Sequence, residues 1–149
     1  MDGFQLRSGE QKDSEWLWDL YRQSMEDYVT VAWGWDEEFQ RDGFAEHLGF
    51  NHWIIVRYKH RDLGGYVLKT RADHFWLELL VLKSEYQNRG IGSRVVEHLQ
   101  DIAHPLRLSV FKTNPAVNFY FRHGFVRFAE DDHSFKMEWK RTPGEYLND

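Results

Sequence analysis

The sequence predicts an α/β chain of the α+β kind, with a mixed, mostly antiparallel sheet of six to seven strands flanked by about four helices. Three observations carry this. Seven short segments are rich in β-branched and aromatic residues. Four longer segments space their apolar residues at helical intervals. The two kinds follow one another as β-α-α-β-β-β-α-β-α-β-β. The 149 residues contain no repeat, low-complexity tract or Pro/Gly/Ser-rich linker. One domain spanning residues 1–149 is therefore expected.

Each element has its own warrant. Phe4 to Arg7 reads as a short first strand. Ser14 opens a helix to about Tyr28, with Trp16, Leu17, Leu20, Tyr21 and Met25 near helical spacing. Asp36 is a good N-cap for a second helix to about His47, with Phe39, Phe44 and Leu48 expected to face the core. Trp53 to Tyr58 is a strand, Lys59 to Asp62 a polar turn, and Gly64 to Thr70 the returning strand. Phe75 to Leu82 is a nearly continuous apolar run, which predicts a central strand covered on both faces. Arg89 to Ala103 carries Ile91, Val95, Leu99 and Ile102 at helical spacing, and Pro105 stops that helix. Leu106 to Phe111 alternates as a strand. Asn114 and Pro115 suit an N-cap and the first helical position, and Gly124 a C′ glycine. Val126 to Ala129 and Phe135 to Trp139 form a final antiparallel pair, with Phe135, Met137 and Trp139 on one face. The tail from Thr142 to Asp149 reads as a loose end.

Composition narrows the chemistry. The chain has no cysteine, so a disulfide framework, a thiolate metal site and a cysteine nucleophile are excluded. The eight histidines show no metal-ligand spacing, and no G-x-S-x-G element marks a serine hydrolase. No metal is expected. The net charge of −5 disfavours a nucleic-acid partner and suits a cationic substrate. Without a long apolar segment no membrane association is expected, and the default location is cytoplasmic. Aromatics make up 17% of residues, which fits either a core of large rings or a ring-lined pocket.

The most informative stretch is Leu79 to Arg94, where a buried strand runs through a loop into an amphipathic helix. Gln87, Arg89, Gly90 and Gly92 lie on that loop. A helix N-terminus exposes unpaired N–H groups and the positive end of its dipole. Glycines there let a phosphate approach the backbone, and Arg89 and Arg94 add charge at the rim. The backbone amides from Asn88 through Arg89, Gly90, Ile91, Gly92 and Ser93 to Arg94 would hold a pyrophosphate. A nucleotide P-loop is ruled out because no Gly-Lys-Ser/Thr ending follows Gly92, and Val95 breaks the dinucleotide G-x-G-x-x-G pattern. What stands is Q-x-x-G-x-G, Gln87 to Gly92.

That pattern resembles the coenzyme A loop of the GNAT N-acetyltransferases. The preceding Leu80-Val81-Leu82 stands where the family ends its strand. Asn114 through Phe119-Tyr120 to Gly124-Phe125 resembles the second signature of the family. The strong likeness covers about Phe75 to Phe125, and the first seventy residues match in pattern only. The resemblance implies the GNAT fold and acetyl transfer from acetyl-CoA to a primary amine of a small molecule, peptide or protein. It implies coenzyme contacts from the strand end Leu80, Val81 and Leu82, from Gln87 to Arg94, and from Asn114 and Phe119. Acetyl-CoA is then expected where the strand ending at Leu82 parts from that of Leu106 to Phe111. Tyr120 sits where the family places its general acid; the bland alternative is a tyrosine packed for structure. Members of the family are often homodimers, though no residue here marks the pairing surface. Two other readings stay open, a transferase for a different acyl-CoA and a catalytically silent CoA-binding regulatory module. A third is a domain that does not bind CoA, with a coincidental glycine loop.

Glu78 is the one charge in its strand and alternates with Trp76 and Leu80. A base is needed because a lysine-like amine, with pKa near ~10.4, arrives protonated. Glu78 is the candidate; the alternative is a carboxylate facing solvent or paired with an arginine. Some members of the family carry a Glu on the strand after the loop helix, but the matching position here is Ser109. Tyr28, Trp33 and Trp35, beside Asp36, Glu37 and Glu38, are candidates for the acceptor pocket, because rings with nearby acids suit a cationic amine. The alternative is core rings with acids that favour a helix N-terminus.

Overall fold

A computed structural model of the chain describes residues 3–142. The expected loose tail lies outside the described residues from position 143 on. Among the described residues, seven strands and four helices follow in the expected order. They are β1 (Phe4–Ser8), α1 (Ser14–Trp33), α2 (Glu37–His47), β2 (Trp53–Tyr58), β3 (Arg61–Thr70), β4 (Phe75–Leu82), α3 (Ile91–Ile102), β5 (Leu106–Phe111), α4 (Ala116–Arg122), β6 (Val126–Glu130) and β7 (Ser134–Trp139). The hydrogen-bonded order is β1-β2-β3-β4-β5-β7-β6. β4 and β5 are parallel, while β1–β2, β2–β3, β5–β7 and β6–β7 are antiparallel. The chain forms two compact units. One comprises residues up to Leu68 together with Leu79–Gly92, the other Lys69–Glu78 and the residues from Ser93 onward.

In the first unit, Leu17, Trp18 and Leu20 of α1 and Phe44 of α2 pack on Trp53, Ile55, Val67, Leu79 and Val81. Much of the aromatic content is spent here. Trp18 meets Phe44 edge-on at 5.4 Å, and the Trp53 indole donates to the Leu48 carbonyl at 2.7 Å. α1 runs beyond Tyr28 to Trp33 and ends at Gly34, whose φ of +82° favours glycine. Asp36 caps α2 by accepting the Phe39 N–H at 2.9 Å. Phe39 itself corrects the expectation, since it is 72% exposed. Five residues at about 100° each place it roughly 140° around the helix from the buried Phe44. The turn before β3 is shorter than expected. Lys59 and His60 take φ of 50° and 64°, the hairpin geometry usually given to glycine or asparagine.

A charged network ties the start of this unit together. Arg7 on β1 donates to both carboxylate oxygens of Asp13, at 2.8 and 2.9 Å, and to Asp62 on β3 at 2.9 Å. Asp13 is buried and also accepts from the Trp16 indole and the Glu10 N–H. Arg7 above all, then Trp16 and Glu10, hold the Asp13 carboxyl well below the usual carboxylate range, against the opposing effect of burial. A depressed folded-state pKa contributes stability above the unfolded value, near ~4, that is lost as the pH falls toward the folded one. Urea unfolding should therefore show stability declining from about pH 5 downward. Asp13→Asn should cost about 2 kcal/mol at pH 7 and flatten that decline; an unaltered profile would mean the network is not coupled to folding.

In the second unit, β5 pairs with β7 from Leu106↔Trp139 to Phe111↔Ser134, and β4 pairs with β5 at Phe75↔Leu106, Trp76↔Arg107 and Leu77↔Leu108. Leu106, Leu108 and Met137 are buried, as are Val95, Val96 and Leu99 of α3 and Val117 and Phe125 around α4. Ile102, expected on the inner face of α3, is 54% exposed, and the neighbouring Ala103 is buried in its stead. β6 is the sheet edge, and every one of its residues is exposed. A register shift at Arg127/Ala129 bulges it, one way natural sheets discourage edge pairing.

Candidate active site

β4 delivers two different faces. Leu77, Leu79 and Val81 point into the core, while Trp76, Leu80 and Leu82 are half-buried and Glu78 is exposed. The expectation of a strand covered on both faces is therefore corrected. Glu78 stands on the open face, where water solvates its charge, so no burial cost marks it out. Ser109 on β5 is also exposed, opposite Lys136 of β7.

The chain beyond Leu82 is shaped by local constraints. Residues Ser84–Tyr86 make one turn of 3₁₀ helix, and the Gln87 side-chain amide donates back to the Leu82 carbonyl at 2.9 Å. Gln87 thus braces the loop on the strand end. Asn88 and Gly90 take φ of 61° and 79°, on either side of Arg89. Such left-handed residues turn successive N–H groups to one side and make an anion-binding concavity. A Cβ built on Gly90 would meet nothing within 4 Å, so the space above that backbone is open. Gly92 lies within the first turn of α3 and not on the loop, as does Ser93. Four N–H groups at such a helix start have no partner within the helix. Open backbone, positive φ and a helix N-terminus are what a pyrophosphate requires, so the residues fit the phosphate portion of an acyl-CoA.

α4 holds Tyr120. Asn114 caps the helix start, its side-chain oxygen accepting the Ala116 N–H at 2.9 Å. The C-terminus closes as a Schellman motif. The Phe125 N–H donates to the Tyr120 carbonyl at 3.1 Å, the Gly124 N–H donates to that of Phe121, and Gly124 has φ of +88°. The same motif brings Phe125 edge-on to Tyr120 at 5.4 Å, and Phe119 also meets the ring edge-on at 5.2 Å. The Gly-Phe that follows the tyrosine is thus its clamp. Burial pushes the Tyr120 phenol well above its usual value, so it stays protonated at neutral pH.

One pairing had no sequence signal. His123, one turn after Tyr120, places Nε2 at 3.0 Å from the Ser93 hydroxyl of α3. The contact joins residues thirty positions apart, and nothing in either local sequence announces it.

Of the three acceptor candidates, Trp33 is 67% exposed and Tyr28 is half-buried on α1. Trp35 leans on Trp18 at 6.2 Å, and its indole N–H is buried without a hydrogen-bond partner. A separate recess of about 280 Å³ lies over Trp18, lined by Glu15, Arg41, Phe44, Phe50 and Asn51, and takes in none of the candidates. Among the described residues, no cluster of three or more His, Asp or Glu side chains could hold a metal ion, and no helix is long and apolar enough to cross a membrane.

A profile of the acetyltransferase (GNAT) domain matches residues 49–127, more than half of the chain. The chain belongs to the GNAT acetyltransferase family. Solved structures of the same fold agree over nearly the whole length. A PaiA N-acetyltransferase from Thermoplasma acidophilum, in complex with coenzyme A, superposes with a TM-score of 0.74 at 23% identity, covering 93% of this chain and 99% of that one. An N-acetyltransferase from Staphylococcus aureus Mu50 gives 0.71 at 12% identity, with 91% and 100% covered. The ribosomal-protein-S18-alanine N-acetyltransferase from Escherichia coli gives 0.65 at 18% identity, with 93% and 95% covered. At these identities the likeness speaks to the fold.

Proposed function

We propose that this chain is a single N-acetyltransferase domain that moves the acetyl group of acetyl-CoA to a primary amine by direct attack. The observation that carries this reading is the loop Gln87 to Gly90, braced on Leu82 and opening with positive φ onto the start of α3. Gln87, the backbone from Asn88 to Arg94, the strand end Leu80 to Leu82, Asn114 and Phe119 would hold the coenzyme. Glu78, on the open face of β4, takes the proton of the incoming ammonium, directly or through water. The free amine attacks the acetyl carbonyl, polarised by backbone N–H groups, the C–S bond breaks, and the second amine proton passes to water as the amide forms. Tyr120 gives its phenolic proton to the departing sulfur.

Charge supports a cationic acceptor. The segment Glu26 to Asp42 holds six acids (Glu26, Asp27, Asp36, Glu37, Glu38 and Asp42) and one base, Arg41, for a net −5. That equals the charge of the whole chain, so the remainder is neutral. Tyr28, Trp33 and Trp35 lie inside this acidic segment and would line the acceptor site, with the unpartnered Trp35 indole as a donor to the acceptor.

The test is thermal unfolding with acetyl-CoA, with NAD and ATP as controls. A ligand at a hundred times its Kd adds ~2.7 kcal/mol, which should raise Tm by roughly 5–10 °C. A shift with acetyl-CoA alone supports the reading. No shift in a well-folded protein would remove it.

A further inference from the structure

We infer that His123 is a positioning residue that orients the Ser93 hydroxyl toward the pyrophosphate of the acyl-CoA. The inference rests on the coenzyme reading above and adds a residue to which the resemblance gives no role.

Ser93 lies in the first turn of α3, where backbone N–H groups lack partners within the helix. Its hydroxyl has one hydrogen to give and can accept two. A serine aiming that hydrogen at an anion needs another donor on its oxygen to fix the rotor. His123 Nε2 stands at 3.0 Å, at the right place to be that donor. Burial lowers the pKa of His123, Arg122 lowers it further and Glu97 opposes them. Those are the charged groups facing the ring from α4 and α3. The imidazole is therefore neutral at pH 7, with a single N–H, and donation to Ser93 requires that hydrogen on Nε2.

The ring is not free to choose another place. Its residue closes α4, where the His123 N–H donates to the Tyr120 carbonyl at 3.0 Å. The His123 carbonyl accepts the Gln100 side-chain amide of α3 at 2.9 Å. Phe119 lies against the imidazole at 4.8 Å. Two hydrogen bonds thus fix the His123 backbone, and Phe119 supports its ring beside a half-buried hydroxyl. The same turn of α4 carries Tyr120, so one short helix would set both the acid and the hydroxyl.

The experiment measures acetyl-CoA affinity by titration calorimetry, with Tm recorded for every variant. His123→Phe keeps the ring against Phe119 and removes the donor. His123→Gln carries an amide N–H at a reach close to Nε2. His123→Phe should raise the Kd about five- to tenfold, the scale of one ordinary net hydrogen bond. His123→Gln should stay within twofold of the native chain. Ser93→Ala should match His123→Phe, and the double variant should lose no more than either alone. A merely structural histidine would lower Tm in both His123 variants and leave the affinities of folded protein together; that result overturns the inference. Additive losses in the double variant overturn it too. If the native chain does not bind acetyl-CoA, the coenzyme reading itself fails and takes this inference with it.

Discussion

Tyr120→Phe should lower kcat roughly a hundredfold or more, while acetyl-CoA affinity stays within twofold. The substitution deletes one oxygen and leaves the ring against Phe119 and Phe125, so α4 and its closing motif persist. Under the proposed mechanism, what is lost is the proton for the leaving sulfur. Because burial raises the phenol pKa, its deprotonation should add no alkaline limb to the rate profile below about pH 10. The same shift has a cost. A thiol titrates near ~8.5, so proton transfer from a phenol above 10 runs uphill by about 2 kcal/mol or more. The proposed role therefore calls for transfer concerted with C–S cleavage, with solvent returning the proton to the phenol afterwards. Steady-state assays with a panel of amines, together with calorimetry, separate the outcomes. Unchanged turnover would remove Tyr120 as the acid; lost turnover with lost binding would recast it as a packing residue.

Gly64→Ala should cost at least ~3 kcal/mol, the largest stability loss expected of a single methyl in this chain. Gly64 lies on β3 with φ of +153°, and an added Cβ would overlap the Val81 carbonyl oxygen and stand 2.7 Å from the Leu82 Cα. Both obstacles are backbone, so no rotamer change relieves them. β4 must move away at the end that leads into the glycine loop. Leu82 accepts the Gln87 amide, and the Lys83 N–H donates to the Leu63 carbonyl at 2.9 Å beside Gly64. Displacing the strand should therefore weaken acetyl-CoA binding in whatever fraction folds. Urea unfolding with and without acetyl-CoA reads both effects. A variant with native stability would show that β3 and β4 can part without harm.

Local chemistry made much of this legible. Asp36, Asn114 and Gly124 act where their side chains, or the lack of one, dictate a helix end. The strand β4 was found to the residue, yet its coverage was misjudged. Eight residues with one charge look alike whether one face is covered or two. Phe39 was misplaced for a related reason, since helical spacing tolerates a residue at the margin of the apolar stripe and an aromatic ring biases the choice. The loop at Gln87 was legible as a pattern, but its geometry was not. The helical spacing from Arg89 onward already took in Gly92, but nothing in the spelling gives Asn88 a positive φ.

By itself, then, the sequence determined the order of strands and helices, the position of the glycine loop at the head of α3 and the short helix that carries Tyr120. Those signals are local, written in caps, periodicities and glycines a few residues apart. Only the tertiary structure decided which face of β4 is open, that Gly64 must lack a side chain because Val81 passes within reach, and that His123 meets Ser93. Each depends on chain segments distant in sequence being packed to within a few ångströms, and no short window of sequence records such an approach.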